Sequence, residues 1–314
     1  MIEQYDPLAK TLFIDGCQLE KISHGAVWNE GPVWLPESQT LLWSDIPNNR
    51  IVSWNQQTGS SVWRSPANFT NGHYLDLEGN LLHCCHGGRC ILKTNLRTNQ
   101  VTTLVSHYRG KPLNSPNDLV VKADGSIWFT DPPYGILSDY EGYKADVEQA
   151  GNFVYCYYPK TNRLTLVCDS MEGPNGLAFS VDESQLYISD TSITLPDQTI
   201  GHHHIMRYDV SSNTLGEYQL TNGEVFIEIH PGVADGFRLD RNGWIFSSSA
   251  EGIHVYHPDR RLLAKILVPE IVSNCTFGGM EGDTLFITAS SSVYRIRLNT
   301  VGIQAYQCGS TVSK

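Results

Sequence analysis

Residues 175–188 read Asn-Gly-Leu-Ala-Phe-Ser-Val-Asp-Glu-Ser-Gln-Leu-Tyr-Ile. An amide and a glycine open an apolar run, a polar turn at Asp182 interrupts it, and a second apolar run, Leu186 to Ile188, follows. This is the pattern of a short β-hairpin. It recurs along the chain. Related segments open at Glu30-Gly31-Pro32-Val33-Trp34, Asn71-Gly72-His73-Tyr74, Asn117-Asp118-Leu119-Val120, Asp235-Gly236-Phe237-Arg238 and Asn274-Cys275-Thr276-Phe277. Seven residues beyond each opening stand Glu37, Glu78, Asp124, Asp182, Asn242 and Glu281, with glycine next at Gly79, Gly125, Gly243 and Gly282. That is a turn signature held in one register. A second apolar stretch follows each time, such as Leu41 to Trp43 or Leu285 to Ile287. Six copies in one register make an internal repeat, and the repeat decides the fold class.

More polar strand pairs follow the hairpins, for example Arg50 to Trp54 and His254 to His257, and alternation such as Met206, Tyr208, Val210 marks half-buried strands. Helical periodicity is nearly absent, apart from a weakly helical stretch at Asp139 to Gln149. The expected architecture is all-β: one six-bladed β-propeller domain over 1–314, its blades opening near 30, 71, 117, 175, 235 and 274, around a central metal site. Residues 1–29 and the stretch after Leu298 are expected to supply outer strands that close the ring. Insertions at Asp131 to Ala150 and Thr191 to His204 are expected to roof the site.

Charge narrows the function. Against 33 Asp and Glu there are 22 Lys and Arg, a formal charge of -11, which repels phosphate backbones and anionic lipid headgroups. No nucleic-acid or membrane partner is expected. Neither a secretory signal nor an apolar run of membrane-spanning length is found, so a cytoplasmic location is the expectation, as a monomer or homodimer. The eight cysteines are scattered without a Cys-x-x-Cys spacing and read as reduced, mostly buried thiols. Cys84, Cys85, His86 and Cys90 form a conceivable soft-metal cluster whose spacing fits no standard zinc pattern. His202-His203-His204 falls in an insertion and reads as a solvated loop. No Gly-x-Ser-x-Gly nucleophile elbow is present.

The innermost strands of a propeller surround one axis, so corresponding positions of the blades face one channel. The openings then form a ring of two carboxylates, Glu30 and Asp235, and four amides, Asn71, Asn117, Asn175 and Asn274. A single Asn-Gly or Asp-Gly is an ordinary turn. Six polar oxygens in register are more than turns require, and two carboxylates buried together without a cation are costly. Oxygen-only donors favour one hard divalent ion, calcium first, with magnesium, manganese, zinc or ferrous iron as alternatives.

Several longer motifs carry a family resemblance. Asn29-Glu30-Gly31-Pro32, Asn114-Ser115-Pro116-Asn117-Asp118, Phe129-Thr130-Asp131-Pro132-Pro133-Tyr134-Gly135, Pro174 to Ser180, Ala234-Asp235-Gly236 and Phe277-Gly278-Gly279 resemble the gluconolactonase branch of the gluconolactonase, regucalcin and luciferin-regenerating-enzyme family. The resemblance runs from about Trp28 to Leu298. It implies a divalent metal held by Glu30, Asn175 and Asp235, with Asn117 on metal or substrate, and hydrolysis of a glucono-lactone-like aldonolactone to the aldonic acid. Regucalcin-like members carry arginine two residues before the Asn117 position, where this chain has Ser115. Their substrate preference therefore does not transfer.

The expected enzyme is a hydrolase of carboxylic ester bonds in which the metal polarises the lactone carbonyl and Asp235 activates water. Asn117, Ser115, His73, Tyr134, Asn71 and Asn274 are the candidate substrate contacts. Two alternatives stand beside this reading: a phosphotriesterase-like hydrolase using the cation on a P=O group, and a noncatalytic binding propeller whose ion is structural.

Overall fold

The computed structural model describes residues 1–196 and 201–303. Cys308 and part of the expected insertion between Thr191 and His204 lie outside the described residues.

Among the described residues six antiparallel sheets of four or five strands follow one another along the chain, with a two-stranded hairpin, His107–Tyr108 and Lys111–Pro112, between the second and third. Blade 1 comprises Asn29–Leu35, Thr40–Asp45, Arg50–Asn55 and Gly59–Arg64; blade 2 comprises Thr70–Leu75, Leu81–Cys85, Cys90–Thr94 and Val101–Val105. Blade 3 runs through Leu119–Val121, Ile127–Asp131, Phe153–Tyr158 and Arg163–Cys168, and blade 4 through Pro174–Phe179, Gln185–Asp190, His204–Ser212 and Tyr218–Glu228. Blade 5 holds Phe237–Leu239, Ile245–Ser248, Gly252–Tyr256 and Leu262–Leu267, and blade 6 holds Val272–Gly278, Thr284–Ala289 and Ser292–Arg297. This is the six-bladed propeller that the repeat predicts. The turns keep its register in five blades: positive φ falls at Gly79, Gly125, Gly243 and Gly282 and, where blade 4 lacks the glycine, at Glu183, whereas blade 1 places it one residue later, at Gln39.

The beginning of the chain closes the ring. Glu20–His24 adds to blade 6 by pairing with Ser292–Arg297, and Ile2–Gln4 adds a fifth strand to blade 5. Among the described residues after Leu298 no strand forms, where one was expected; Gly302 makes an isolated bridge with Asp240, and Leu298 itself with Phe13. The outer positions of blades 5 and 6 are filled by the two N-terminal strands.

Core side chains fill the wedges between blades. Trp34 of blade 1 stacks on Phe286 of blade 6 with centroids 5.1 Å apart. Phe179 of blade 4 meets Trp128 of blade 3 edge-on at 5.3 Å, and Phe277 of blade 6 meets Phe246 of blade 5 at 5.1 Å. In each pair a ring on an inner strand packs on a second-strand ring of the preceding blade, a contact worth about 0.5–1.5 kcal/mol beyond the area it buries.

The segment Asp139 to Gln149 is not helical. It is a run of bends after the short 3₁₀ turn Tyr134–Ile136, with Asp139 Oδ1 accepting from the Lys144 amide at 2.9 Å. Tertiary hooks outside the segment fix its path, and they override its weak periodicity. The seven described cysteines are free thiols, all but Cys17 buried.

Candidate functional site

The six openings do converge, and the blades are stitched together where they meet. Gly72 N donates to Asn117 O at 2.8 Å, Gly176 N to Asp235 O at 2.9 Å and Gly236 N to Ser273 O at 2.7 Å, so each bond joins one inner strand to the next. The glycine after the opening residue makes this approach possible. A Cβ on Gly176 would lie 2.5 Å from Asp235 O, and one on Gly236 would lie 2.0 Å from Asn274 Cγ.

A second repeated device supports the ring. Ser44-Asp45, Thr130-Asp131 and Ser189-Asp190 end the second strands of blades 1, 3 and 4. The hydroxyl reaches forward to the next blade: Ser44 Oγ donates to Asn71 O at 2.8 Å, Thr130 Oγ1 to Asn175 O at 2.8 Å and Ser189 Oγ to Asp235 O at 3.1 Å. The carboxylate reaches back to the segment leading into its own blade, accepting from Val27 N at 3.0 Å, Asn114 N at 2.8 Å and Glu172 N at 3.0 Å respectively. Each dipeptide fixes two backbones around one ring position.

Inside the ring Glu30 is 4% exposed. Its Oε2 accepts from Asn274 Nδ2 at 3.1 Å and from the Gly31 amide, while its buried Oε1 has no partner. Burial, and then the charge of Asp235, push the Glu30 carboxyl well above the ordinary glutamate range. Asp235 is half-buried, its amide bound to Ser248 Oγ at 2.8 Å. Burial first, then the charges of Glu141 and Asp118, raise it to about 7, against a hydrogen bond from Asn175. Asn175 Nδ2 donates to Thr191 Oγ1 at 3.1 Å, and Asn71 Nδ2 donates to His86 Nε2 at 3.3 Å, leaving the buried Asn71 Oδ1 unpartnered. Asn117 is buried in the same ring, with its amide on Thr130 O at 2.9 Å.

The other expected contacts lie elsewhere. His73 is fully buried inside blade 2, its Nε2 2.8 Å from Ser44 Oγ and its Nδ1 2.9 Å from His83 Nδ1. Burial lowers its pKa to about 3, so it is a neutral blade residue with both nitrogens engaged. Ser115 Oγ donates to Pro132 O at 2.6 Å and accepts from Gly135 N at 2.9 Å; the hydroxyl braces a loop. Tyr134 OH lies 2.7 Å from Thr191 Oγ1, which ties the blade 3 roof to the hydroxyl that orients Asn175. His202 and His203 sit half-buried, and His204 begins the third strand of blade 4. Cys85 pairs with Cys90 across two strands of blade 2, while the adjacent His86 turns to Asn71 and the roof.

Three residues of the site, Asp118, Arg238 and Glu141, were not singled out in the sequence, and His86 was named there only as a conceivable soft-metal ligand. Asp118, 2% exposed, accepts from Arg238 Nη1 at 3.2 Å, a buried ion pair that joins blade 3 to blade 5 across the channel. Burial works against the Arg238 charge, but neighbouring anionic groups, Asp118 foremost, more than offset it and raise its pKa. An arginine within the inner strand Phe237–Leu239, otherwise apolar, was the available signal. Glu141 and His86 carried none: His86 Nδ1 donates to Glu141 O at 2.9 Å across 55 residues of sequence.

The donor set suits a hard cation. Glu30, Asp118 and Asp235 influence one another electrostatically in the channel, and Arg238 balances one of these charges. Two negative charges and the orphaned oxygens Glu30 Oε1 and Asn71 Oδ1 are left, which is what an oxygen-ligated divalent ion would satisfy. Among the described residues no three His, Cys, Asp or Glu side chains gather as a metal cage, since the remaining ring donors are amides.

Residues 28–291 match the family described as the SMP-30/Gluconolactonase/LRE-like region. A gluconolactonase of Zymomonas mobilis subsp. mobilis is 33% identical over 321 residues, covering 96% of this chain and 87% of that protein. The solved structure of a gluconolactonase from Xanthomonas campestris superposes with a TM-score of 0.86 at 36% identity, covering 95% of this chain and 94% of the other. The calcium-binding protein regucalcin from Agrobacterium tumefaciens shares the fold, with a TM-score of 0.72 at 18% identity over 90% of this chain and 95% of its own.

Proposed function

Since this chain belongs to the SMP-30/gluconolactonase/LRE-like family, we propose that it hydrolyses a sugar lactone to the corresponding aldonic acid with the help of one divalent ion. It is a carboxylic-ester hydrolase of the gluconolactonase type, in keeping with the relatives named above. The observation that carries the metal-dependent reading is Glu30 Oε1, a buried and unpartnered carboxylate oxygen in electrostatic reach of Asp235. Glu30, Asn175 and Asp235 would hold the ion, with Asn117 beside it on ion or substrate. When bound, the ion supplies Lewis-acid polarisation of the lactone carbonyl and charge to offset the developing oxyanion. Oxygen donors on two carboxylates and amides favour calcium.

The chain's own residues supply the rest. Asp235, half-buried at the ring, accepts a proton from the attacking water as its oxygen bonds to the carbonyl carbon. The ring C–O bond then breaks, and that proton goes to the departing ring oxygen, leaving a hydroxy acid. Asn175 is held by Thr191, and Thr191 by Tyr134, so the amide keeps one orientation. The amides of Asn71, Asn117 and Asn274 offer donors and acceptors suited to hydroxyl groups.

Acid release from glucono-δ-lactone, followed with a pH indicator with and without chelator and alongside circular dichroism, tests this reading. Activity lost on chelation with the fold intact is the expected result. Loss of fold together with activity would favour a structural ion. Hydrolysis of no sugar lactone under any added divalent ion would overturn the reading.

A further inference from the structure

The four-residue turn 86–89 joins the second and third strands of blade 2, and it anchors the roof of the site. His86 Nδ1 donates to Glu141 O at 2.9 Å, while its Nε2 meets Asn71 Nδ2 of the ring at 3.3 Å. Arg89 Nε donates to Leu113 O at 2.6 Å and to Asn114 O at 3.0 Å, and its guanidinium pairs with Glu148. The turn is also tied to the segment that leads into Asn71. His86 N donates to Phe69 O at 3.0 Å and Gly87 N to Asn68 O at 3.1 Å, and the Phe69 ring meets Tyr143 of the roof edge-on at 5.2 Å.

Two cysteines close this turn. Cys85 and Cys90 are directly opposed in the antiparallel ladder, a register that sets Cα atoms about 4.5–5.5 Å apart, inside the span of about 4.4–6.8 Å that a disulfide bridges. Their sulfurs face one point: a Cβ on Gly88 would lie 2.9 Å from Cys90 Sγ and 3.1 Å from Cys85 Sγ. Gly88 is exposed, so part of the cover over these buried thiols is bare backbone. Cys85 Sγ accepts from Asn68 Nδ2 and from Gly88 N, each at 3.3 Å, and as a thiol donates to Asn68 O at the same distance. The hydrogen bond from Cys90, aided by the Gly88 and Asn68 donors, holds the Cys85 thiol below its ordinary range against burial, whereas that bond and burial push Cys90 up. Cys85 is therefore the thiolate of the pair and Cys90 the proton-bearing partner. Cys84, fully buried on the opposite face of the same strand, takes no part.

We propose that Cys85 and Cys90 form a redox-active dithiol, oxidised to a disulfide by hydrogen peroxide, and that the disulfide loosens the roof of the lactone site. The Cys85 thiolate attacks one peroxide oxygen, the O–O bond breaks, and the departing hydroxide takes up a proton as water. The Cys90 thiol then attacks the sulfenic sulfur of Cys85, and the S–O bond breaks to release a second water carrying the Cys90 proton. Two thiols are oxidised and one peroxide is reduced. The new bond draws Cys85 Sγ away from Asn68 and Gly88, contacts that fix the turn beside His86 and Arg89. The dithiol itself is independent of the lactonase reading; its effect on turnover rests on that reading.

The test treats the wild-type protein with hydrogen peroxide, alkylates it under denaturing conditions and digests it with trypsin, which cleaves after Arg89. The disulfide should join peptides 65–89 and 90–93, and fragmentation should place it on Cys85 and not on Cys84. Dithiothreitol should remove the link, and Cys90→Ser should lack it and leave Cys85 open to dimedone labelling. Oxidation should raise KM for glucono-δ-lactone about fivefold, the scale of one hydrogen bond, and reduction should restore it. The double variant Cys85→Ala, Cys90→Ala should keep the same KM with and without peroxide. Peroxide that leaves the two peptides unlinked would overturn the proposal, as would a link without a change in KM or an equal change in the double variant. A wild type that hydrolyses no lactone would overturn the functional reading, while the peptide link alone upheld or overturned the dithiol.

Discussion

Asp118 and Arg238 meet 3.2 Å apart inside the channel, and they belong to blades 3 and 5, which are not neighbours in the ring. Contacts between adjacent blades build the wall of a propeller, whereas this pair crosses its interior. Arg238 Nη1 also donates to Phe237 O at 2.8 Å, which keeps the guanidinium at the strand that carries it.

Replacing Arg238 with Met should therefore destabilise the fold by about 3–5 kcal/mol, because it leaves Asp118 buried without its counter-ion. Urea unfolding in chelator measures this loss. Asp118→Asn combined with Arg238→Met should recover much of it, since the double variant has no unpaired charge. A single-variant loss below about 1 kcal/mol would contradict the pairing.

Stability of the ion-free protein should fall as pH rises from about 6.5 to above 7. Glu30 is raised well above its ordinary value, and Asp131, Glu141 and Asp235 are each raised to about 7. His73, His83 and His86, lowered by burial, oppose this only below about 6.5, where the unfolded chain carries them charged. Above that pH the folded state binds more protons than the unfolded chain, which gives stability a negative slope with pH. Thermal unfolding at pH 6.5 and pH 8 in chelator should find the higher Tm at pH 6.5. Saturating divalent ion should narrow the gap, and a higher Tm at pH 8 without ion would refute the assignment.

Gly236→Ala should act at the ring and not only on the backbone. Its Cβ would lie 2.0 Å from Asn274 Cγ, so Asn274 must shift away from Glu30. Overpacking of this kind costs about 1–3 kcal/mol. Calcium calorimetry should show weaker binding, and affinity equal to wild type would argue that Asn274 does not help to position Glu30.

Asp235→Asn should lower kcat by about 10²–10⁴-fold, the range typical of a lost general base. Circular dichroism should be unchanged, because the backbone at this position keeps its contacts with Ser248, Gly176 and Ser189, and the amide oxygen still accepts from Asn175. Wild-type turnover at unchanged ion occupancy would move the base elsewhere.

The ring was legible in the sequence because a propeller repeats its geometry: Glu30, Asn71, Asn117, Asn175, Asp235 and Asn274 occupy one register, and the structure brings them together. The Ser/Thr-Asp pairs were visible too, but they lie at the far end of the second strands, beyond the hairpin turns that set the count. Arg238 lies three residues past an opening, and only tertiary structure brings it to Asp118. His73, two residues past its opening, lies inside the blade, where Ser44 and His83 engage both of its ring nitrogens. Glu141 was hidden for a different reason. Its place depends on His86, and neither the spacing between them nor the weak helical pattern of 139–149 encodes a hook made through a main-chain carbonyl.

The closing strand Glu20–His24 pairs with Ser292–Arg297, so the segment synthesised early waits for nearly the whole chain before it has a partner. The hydrogen bond from Asn274 to Glu30 spans the same seam. Sealing the circle and completing the acidic centre are therefore a single late event in the life of the chain, governed by contacts distant in sequence. A nascent chain halted before blade 6 would hold most of its sheets and no finished centre, which couples competence to bind an ion to the completion of synthesis.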